Sequence, residues 1–491
     1  MTRTTFPSNK TLPSSPGSIE DIYELSPMQQ GMLFHTLLSP EVGTYCSQYS
    51  IRLRGLIDPD LFYASWQILV DRHPILRTSF EWEGLSRPVQ VVHRTVRITK
   101  DYRNWQGATV EETIERLKSF LEEDLNRGFE LNTPPLLRLA LFRIAEGEYE
   151  LVWTNHHLLL DGWSRALLLD EFMTVYAAEV SGGAWRLPSR RPFRDYISLT
   201  RTLDEYRAKV YWQETLAGFR ELTPLSSKVS SSLTKAQPPQ RLGRSVPAAI
   251  TQAAGAFVRR EHLTFNTVLQ GAWALTLAHL SEARDIVFGT VVSGRSPEFD
   301  GVEEMIGLFI NTLPVRLKIG EGISISDWLQ SVQQILAQIR EFETFSIVDI
   351  KRWAGVSSSV PLFDSIFVFE NYPTSSIRSR SKAFEIGPVK HWIRQDFPLV
   401  LSVRLSEELI LTLNNERAIL MSEADRLLKL YIAVLEKLPG AEALTVEAFL
   451  SGMAEVDCAY RKAREEDLSR LSADKLKSIK RVDRHSASPL R

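Results

Sequence analysis

Two adjacent histidines, His156 and His157, stand in the segment VWTNHHLLLDGWSRALLLDEF, closely followed by Asp161, Gly162 and Trp163. An imidazole titrates near neutral pH, so a neutral histidine can accept a proton from a nucleophile without a covalent intermediate. A nearby buried aspartate can hold the loop, and a glycine lets the chain turn sharply or approach a ligand closely. These residue types fit a general base or an orienting group for acyl transfer from a thioester to an amine.

Other interpretations of the histidine pair stay open on spacing alone. Structural histidines near a strand end are the commonest outcome, because histidine is often partly buried. A metal site is disfavoured because adjacent side chains on an extended chain point in opposite directions and no further histidine or cysteine ligand is near. A serine or cysteine nucleophile is disfavoured because the sequence has no Gly-x-Ser-x-Gly turn. Spacing does not favour acyl transfer over the structural interpretation.

The neighbouring segments predict how the chain holds this pair. EYELVWT alternates like a strand, and SRALLLDEFMTVYAAE places Leu168, Phe172 and Val175 on one helical face, with Ser164 as the predicted N-cap. The pair therefore lies where a strand ends and a loop leads into a helix. Such loops often carry catalytic groups, because the rigid elements on either side let the backbone aim a side chain into a cleft.

Along the rest of the chain, predicted helices and strands alternate, which indicates a layered α/β protein. The Gly-, Pro- and Arg-rich cluster SGGAWRLPSRRPF predicts a boundary, and the pattern of the first half returns in outline after it. The tail is poor in large apolar residues, and its helical piece is predicted to be short and marginal. We expect a disordered leader, two similar α/β lobes and a linker-like tail, at residues 1–18, 19–180, 181–455 and 456–491.

Composition excludes several classes of protein. The 58 basic and 60 acidic residues give a formal net charge of -2, so no global field would draw nucleic acid or an anionic membrane. The only cysteines, Cys46 and Cys458, lie outside any metal-ligand pattern, which fits a reducing compartment. The longest apolar run, TVLQGAWALTLAHL, is too short to span a bilayer. We expect a cytoplasmic globular protein without a metal site and without a nucleic-acid or membrane partner.

Several motifs, taken together, resemble those of the condensation domains of nonribosomal peptide synthetases, members of the chloramphenicol-acetyltransferase-like superfamily. HHLLLDGWS is similar to the family's His-His-x-x-x-Asp-Gly motif. Further motifs that resemble the family stand in the family's order, and they are LSPMQQGMLFH, RHPILRTSF, PFRDYI, VVSGR, IGLFINTLPVR, PLFDSIFVFENYP and RQDFPLVLSV. The resemblance covers roughly residues 20 to 450 and reverses the preference for structural histidines.

The resemblance implies an α/β fold of two-layer α+β lobes, arranged as a V-shaped monomer with a tunnel between two chloramphenicol-acetyltransferase-like lobes. Donor and acceptor thioesters, each on the phosphopantetheine arm of a carrier protein, would enter from opposite faces and meet at the histidine. The acceptor amine would then attack the donor thioester. No tightly bound cofactor is implied, since phosphopantetheine arrives on the carrier proteins. An adjoining adenylation domain is a further expected partner, and the chain is expected to be an excised piece or a stand-alone enzyme.

The position of each residue in the matching motifs implies its role. His157 would be the catalytic histidine, either as a base or as a group that orients the amine and stabilises the tetrahedral intermediate. His156 would support the loop. Asp161 would form a structural ion pair, because a buried carboxylate needs a cationic partner, and Arg295 is preferred over Arg77 for this role.

Other residues of these motifs concern positioning and subtype. Asn311, in FINTL, is expected either to donate a hydrogen bond from the second half or to cap a loop. Gly162 would present backbone without a side chain near the tunnel. Trp163 disfavours an epimerising member, the histidine pair disfavours a heterocyclising one, and the motifs lean towards a donor ending in a D-residue. Ser346 and Asp349 replace the family's usual proline and glutamate, which leaves substrate details open.

Two alternative functions stay open. One is an acyltransferase of the same superfamily that uses a free amine or alcohol as acceptor. The other is a non-catalytic, condensation-like docking platform, which the intact histidine motif disfavours because function follows the site and not the fold. The side chains of the donor and acceptor, and the final product, are not readable from the sequence.

Overall fold

The computed structural model shows a chain in which helices and strands alternate, as the sequence predicts. It describes residues 18–38, 43–219, 222–223, 240–296, 298–357, 360–370, 384–393, 397–415 and 419–485. The predicted leader at residues 1–18 lies almost wholly outside these described residues.

The first half of the chain supplies one large sheet, one small sheet and the helices that cover them. Its strands are β1 (Ile19–Glu24), β2 (Cys46–Arg54), β3 (Thr78–Glu81), β4 (Val89–His93), β5 (Asp101–Asn104), β6 (Leu137–Ala145) and β7 (Glu148–His156). Its helices are α1 (Pro27–Leu38), α2 (Pro59–Arg72), α3 (Val110–Arg127), α4 (Gly162–Ser181) and α5 (Phe193–Thr200).

The second half supplies the other large sheet. Its strands are β8 (Gln240–Ser245), β9 (Asp285–Val292), β10 (Asn311–Lys318), β11 (Ser365–Glu370), β12 (Glu385–Ile393), β13 (Leu399–Leu405) and β14 (Leu409–Asn415). Its helices are α6 (Glu205–Thr215), α7 (Ala248–Arg260), α8 (Phe265–Ser281), α9 (Ile325–Glu341), α10 (Ile347–Trp353), α11 (Met421–Lys437) and α12 (Val446–His485).

Both large sheets contain the same arrangement of four strands. The first sheet includes the order β5-β6-β7-β2, and the second includes β11-β13-β14-β8. In each series the first pair is parallel and the next two pairs are antiparallel. In each, the third strand leads into a helix, β7 into α4 and β14 into α11. This repeated topology agrees with the two similar halves expected from the sequence.

The two apolar cores do not separate at residue 181, where the sequence predicts the boundary. The core of the first half also takes in Phe193 of α5, Phe309 and Phe384, which follow that point in the chain. Strand β12 crosses from the second half and pairs along β2 at the edge of the first sheet. The Gly- and Pro-rich segment therefore does not separate the two cores, since apolar side chains beyond it belong to the first core.

Helix α12 is much longer than the short helix predicted for the tail. It starts inside the second core with Val446, Phe449 and Met453 buried. Further along, Asp457 accepts hydrogen bonds from Arg426 of α11 at 2.6 and 2.5 Å. Burial raises the pKa of Asp457, but the hydrogen bonds from Arg426 and its other partners outweigh burial and hold the pKa well below its usual range. Long-range partners, which local propensity does not reveal, anchor this helix.

Ser346 and Asp349, which stand where the resembled family usually has proline and glutamate, begin a helix. The Ser346 hydroxyl accepts a hydrogen bond from the Asp349 amide at 2.9 Å, and it donates to the Asp349 carboxylate at 2.6 Å. Serine followed three residues later by an acid is a common way to begin a helix, because both groups help to satisfy the first turn. The substitution therefore preserves the first turn of α10.

Two further observations concern predicted absences. Among the described residues, no helix combines the length and the apolar character needed to cross a membrane. Neither Cys46 nor Cys458 takes part in a disulfide.

Candidate active site

The histidine pair lies at the end of β7, the central strand of the first large sheet. Because side chains alternate along a strand, Val152 faces α3 while Leu151 and Trp153 face the main core. The backbone amide of His156 donates to the Leu136 carbonyl at 3.0 Å, and that of His157 donates to the Tyr45 carbonyl at 2.8 Å. Both neighbouring segments therefore hold the chain in place beyond the end of the strand.

His156 is a buried structural residue. Only 1% of it is exposed, and its Nδ1 accepts a hydrogen bond from the Leu158 amide at 3.2 Å. Its Nε2 lies 3.5 Å from the Thr36 hydroxyl of α1. Burial, followed by the neighbouring His157, lowers the pKa of His156 to about 3. The ring is therefore neutral at physiological pH, and its contacts lie within the loop and with α1. The loop-supporting role that the resemblance implies stays a prediction.

His157 is the more accessible member of the pair, with 9% of the residue exposed. Its Nδ1 is buried and has no hydrogen-bond partner within the described part of the chain. Burial is the main cause that lowers the pKa of His157 to about 4, and the charge of Arg165 is the second. A neutral ring that retains slight exposure can accept a proton or a hydrogen bond. Its catalytic role stays a prediction.

Asp161 is the N-cap of α4, so the prediction of Ser164 as the cap is wrong. The Asp161 carboxylate accepts a hydrogen bond from the Ser164 amide at 2.7 Å, and the helix begins at Gly162. The other carboxylate oxygen accepts from the Phe309 amide at 3.0 Å, and the Asp161 amide donates to the Gly307 carbonyl at 3.2 Å. One fully buried residue thus caps the helix and holds the segment before β10.

Arg295 is the cationic partner of Asp161. Its Nη2 lies 3.4 Å from both carboxylate oxygens, and the two side chains are 3% and 0% exposed. The same nitrogen donates to the Ser164 hydroxyl at 2.8 Å. Burial lowers the pKa of Arg295, and Asp161 opposes that effect by stabilising the charge. The alternative candidate, Arg77, lies elsewhere, where it donates to Glu20 at 2.6 Å.

Ser164 has a larger role than the sequence suggests. Its hydroxyl donates to the Gly307 carbonyl at 2.8 Å and accepts from the Gly307 amide at 3.0 Å. Gly307 itself has no room for a side chain, since an added Cβ would lie 2.2 Å from the Phe193 ring. A serine in the first turn of a helix is visible in the sequence, but its partner lies 143 residues away. The sequence carries no signal for that contact.

The remaining predicted positions surround this network. Gly162 is the first residue of α4, and its closeness to a ligand stays a prediction. Trp163 donates from its indole to the Glu303 carbonyl at 2.8 Å, which fixes the ring against the second half. The Asn311 amide donates to the carbonyls of Glu343 at 2.9 Å and Phe345 at 2.6 Å. These two contacts favour the loop-capping interpretation of Asn311.

The chemistry available here is that of a neutral imidazole on a rigid loop. Among the described residues, no group of three or more His, Cys, Asp or Glu side chains is arranged to hold a metal ion. A fixed neutral ring suits acyl transfer, in which a nucleophile loses a proton as it bonds to a carbonyl carbon. Arg165 is not among the site residues predicted from the sequence. Its place in the first turn of α4 can be predicted from the sequence, but its electrostatic effect on His157 cannot.

Comparison with known proteins decides the family. The family model described as the condensation domain matches residues 19–437. This chain belongs to the condensation domain family. The domains of this family that occur in nonribosomal peptide synthetases form amide bonds by acyl transfer.

Curated relatives of this condensation domain are large synthetases. It is 40% identical over 421 residues to a linear gramicidin synthase of Brevibacillus parabrevis, covering 85% of this chain and 8% of that protein. It is 36% identical over 354 residues to bacitracin synthase 3 of Bacillus licheniformis, covering 72% of this chain and 6% of that protein. The chain thus spans a small fraction of the length of these relatives.

Solved structures show the same fold. The first condensation domain of the calcium-dependent antibiotic synthetase, in complex with a substrate analogue, superimposes with a TM-score of 0.73 at 17% identity, over 87% of this chain and 98% of that one. The condensation domain from the Monacolin K polyketide synthase gives 0.74 at 16% identity, over 87% and 100%. The predicted fold class, a mixed helix and sheet protein of the chloramphenicol-acetyltransferase-like type, is confirmed.

Proposed function

We propose that this condensation domain forms a peptide bond between a donor acyl or peptidyl thioester and the amine of an acceptor aminoacyl thioester. Both substrates would be held on phosphopantetheine arms of carrier proteins in nonribosomal peptide synthesis. The observation that carries this proposal is the nearly buried His157, held neutral by its low pKa, on a loop tied to the second half by the buried Asp161–Arg295 pair. Such a site can orient a nucleophile without using a covalent intermediate.

The low pKa of His157 defines how the ring would take part. An α-amine has an ordinary pKa of about 8, so a ring with a pKa of about 4 is a weak base towards the free acceptor. Once the C–N bond forms, the nitrogen becomes far more acidic, and the ring can accept its proton. The C–S bond then breaks, and that proton passes to the departing thiolate. His157 would therefore act first by orienting the amine and only then as a base.

The buried ion pair would act indirectly. Asp161 and Arg295 join the start of α4 to the segment before β10, so they would tie the loop that carries His157 to the second half. This rigidity supports catalysis because a small displacement of a catalytic group reduces the rate strongly. Neither side chain is proposed to touch the substrate.

Partners follow from the proposed reaction. Donor and acceptor carrier proteins would bring phosphopantetheine with them, so no tightly bound cofactor is required. An adenylation domain would load the carriers. A cytoplasmic location, a monomeric state and a donor that ends in a D-residue belong to the same proposal, and matched D- and L-donors test the last of these.

The test is single-turnover peptide formation from two loaded carrier proteins. The unchanged domain should give the dipeptidyl thioester on the acceptor carrier, and His157→Ala should lower the rate by roughly 10²- to 10⁴-fold, the range for a positioned acid or base. His279→Ala is the matched control, because His279 lies in the second half and pairs with Asp457 at 3.2 Å. It should keep the rate of the unchanged domain.

Each other outcome points to a defined alternative. Equal rates for the unchanged domain and His157→Ala would refute the catalytic role. Product from a free amine or alcohol, with no product from a carrier-bound acceptor, would identify a free-acceptor acyltransferase. No product from either acceptor, together with carrier binding, would identify a docking platform.

A further inference from the structure

The crossing strand β12 brings a histidine from the second half into the first half, close to His157. His391 on β12 pairs with Tyr49 on β2, and β2 pairs in turn with β7, the strand that leads to His157. The His391 ring stacks on the Tyr49 ring, with centroids 4.2 Å apart and planes 4° from parallel. No sequence motif named above includes this residue.

His391 is held from both halves at once. Its Nε2 lies 2.9 Å from the hydroxyl of Ser47, a fully buried residue of β2 that pairs with Asn155 of β7. Its backbone carbonyl accepts a hydrogen bond from the guanidinium of Arg241, which lies on β8 in the second large sheet. The ring and the strand are thus fixed to the sheet that carries His157, and the His391 carbonyl adds a link to the other sheet.

The stack continues through Tyr49 to Arg165. The Arg165 guanidinium carbon lies 4.4 Å from the centre of the Tyr49 ring. Because the stacked His391 ring covers one face of Tyr49, the guanidinium occupies the other face. Arg165 is on the first turn of α4, and its Nη1 is buried with no hydrogen-bond partner in the described ranges. The tyrosine ring therefore helps to keep this cation in place, together with the charge of Glu370.

Arg165 acts on His157 through its charge. It is the second cause, after burial, of the low pKa of His157, and Asp161 opposes it. A cation beside an imidazole disfavours protonation of the ring, so Arg165 helps to keep His157 neutral. Three further charged groups belong to the same region, Arg241 of β8, Glu370 of β11 and Arg404 of β13. Burial, Arg165 and Arg241 hold the pKa of His391 well below its usual range, so His391 adds no charge.

We propose that His391 is a positioning residue for the reaction at His157, holding the Arg165 guanidinium beside the catalytic ring by way of Tyr49. The three-residue stack of Arg165, Tyr49 and His391 then links the crossing strand to the catalytic loop. The role of His391 in the reaction rests on the proposed function, whereas its effect on the His157 ring does not.

The experiment measures the His157 ring directly, by NMR titration of ring-labelled histidine, and the rate of amide formation against pH. His391→Ala should raise the ring pKa of His157 by about one unit, because the cation loses its support. It should also lower kcat by roughly tenfold with little change in KM, since the ring and its loop lose their alignment. His391→Phe keeps the stack and should restore most of both values.

Two further variants make the test independent of how well His391→Ala folds. Tyr49→Leu removes the middle of the stack and should give the same change in the His157 pKa. Arg165→Gln should raise that pKa, and combining it with His391→Ala should add nothing further, because both act through one charge. His279→Ala, outside the stack, should leave the His157 pKa and kcat unchanged.

The outcomes separate this proposal from the proposed function. A His157 pKa that stays the same in both His391→Ala and Tyr49→Leu would overturn the positioning role, as would fully additive effects of His391→Ala and Arg165→Gln. If the pKa moves as expected while the unchanged domain forms no amide, the stack is upheld and the proposed reaction fails. If amide forms and the pKa of His157 does not move, the proposed reaction is upheld and the positioning role of His391 fails.

Discussion

The junction between β7 and α4 has a counterpart in the second half, between β14 and α11. Each junction follows the last strand of an antiparallel hairpin and leads into a helix. The first ends in His156 and His157, while the second ends in Asn415, whose side chain bonds to both the amide and the carbonyl of Ile419 at 3.2 and 2.5 Å. The same order of strand and helix thus occurs twice, with different side chains at the end of the strand.

The helix starts differ in the same way. Asp161 caps α4 and also bonds to Arg295, whereas Leu420 stands at the start of α11 and makes no side-chain cap. Asn415 thus bonds to a residue four positions along the chain, while Asp161 also bonds to residues of the other half. The fold thus provides a strand-to-helix junction in both halves. Acid–base chemistry is possible only at the junction that carries an ionisable ring on a fixed loop.

The largest expected loss of stability comes from removing the ion pair that holds the first junction. Arg295→Ala should lower the free energy of unfolding by about 3–5 kcal/mol, because it leaves the Asp161 carboxylate buried without its partner. Chemical denaturation followed by tryptophan fluorescence measures this loss. Arg103→Ala is the control, since Arg103 pairs with Asp101 at the surface and should cost less than about 1 kcal/mol. Equal losses for the two variants would contradict the structural role of the pair.

A smaller effect is expected from breaking the second junction. Asn415→Ala should lower the free energy of unfolding by about 1–3 kcal/mol, because the buried amide and carbonyl of Ile419 lose their partner. Its kcat for amide formation should equal that of the unchanged domain. A rate loss as large as that of His157→Ala would show that the second junction also takes part in the reaction.

The smallest expected effect is on the rate as a function of pH, and it concerns the first junction because only that junction carries a titrating ring. With the pKa of His157 lowered to about 4, the ring stays neutral at pH 5.5, whereas an ordinary histidine would be about 90% protonated there. The rate, corrected for the free acceptor amine, should therefore change little between pH 8 and pH 5.5. A tenfold loss, equivalent to about 1.4 kcal/mol, would indicate an ordinary pKa.

The same shift has a consequence for stability. The unfolded chain binds a proton at His157 below its ordinary pKa of about 6.5, while the folded chain resists it until about pH 4. The folded state is therefore expected to lose stability as the pH falls from about 6.5 towards 4. Urea denaturation of the unchanged domain and of His157→Ala should show a weaker pH dependence in the variant.

Much of the site was readable from the sequence because its signals are local. Strand alternation before His156 and helical spacing after Asp161 predict the junction, and the need of a buried Asp161 for a cation led to Arg295 as the preferred partner. The catalytic role of His157 stays a prediction from the motif. Local signals also have limits. Ser164 and Asp161 both suit an N-cap, and only the contact of Asp161 with Phe309 shows why the aspartate takes that position.

The sequence by itself determined the alternating helices and strands, the two similar halves and the identity of the histidine pair, since each rests on periodicity or on a short ordered motif. Tertiary structure alone decided how deeply each histidine is buried, which later segments join the first core, and that His391 reaches the first sheet. Those features depend on contacts between residues hundreds of positions apart, such as Ser47 and His391. Local propensity carries no information about such pairs, because the chain must fold before they meet.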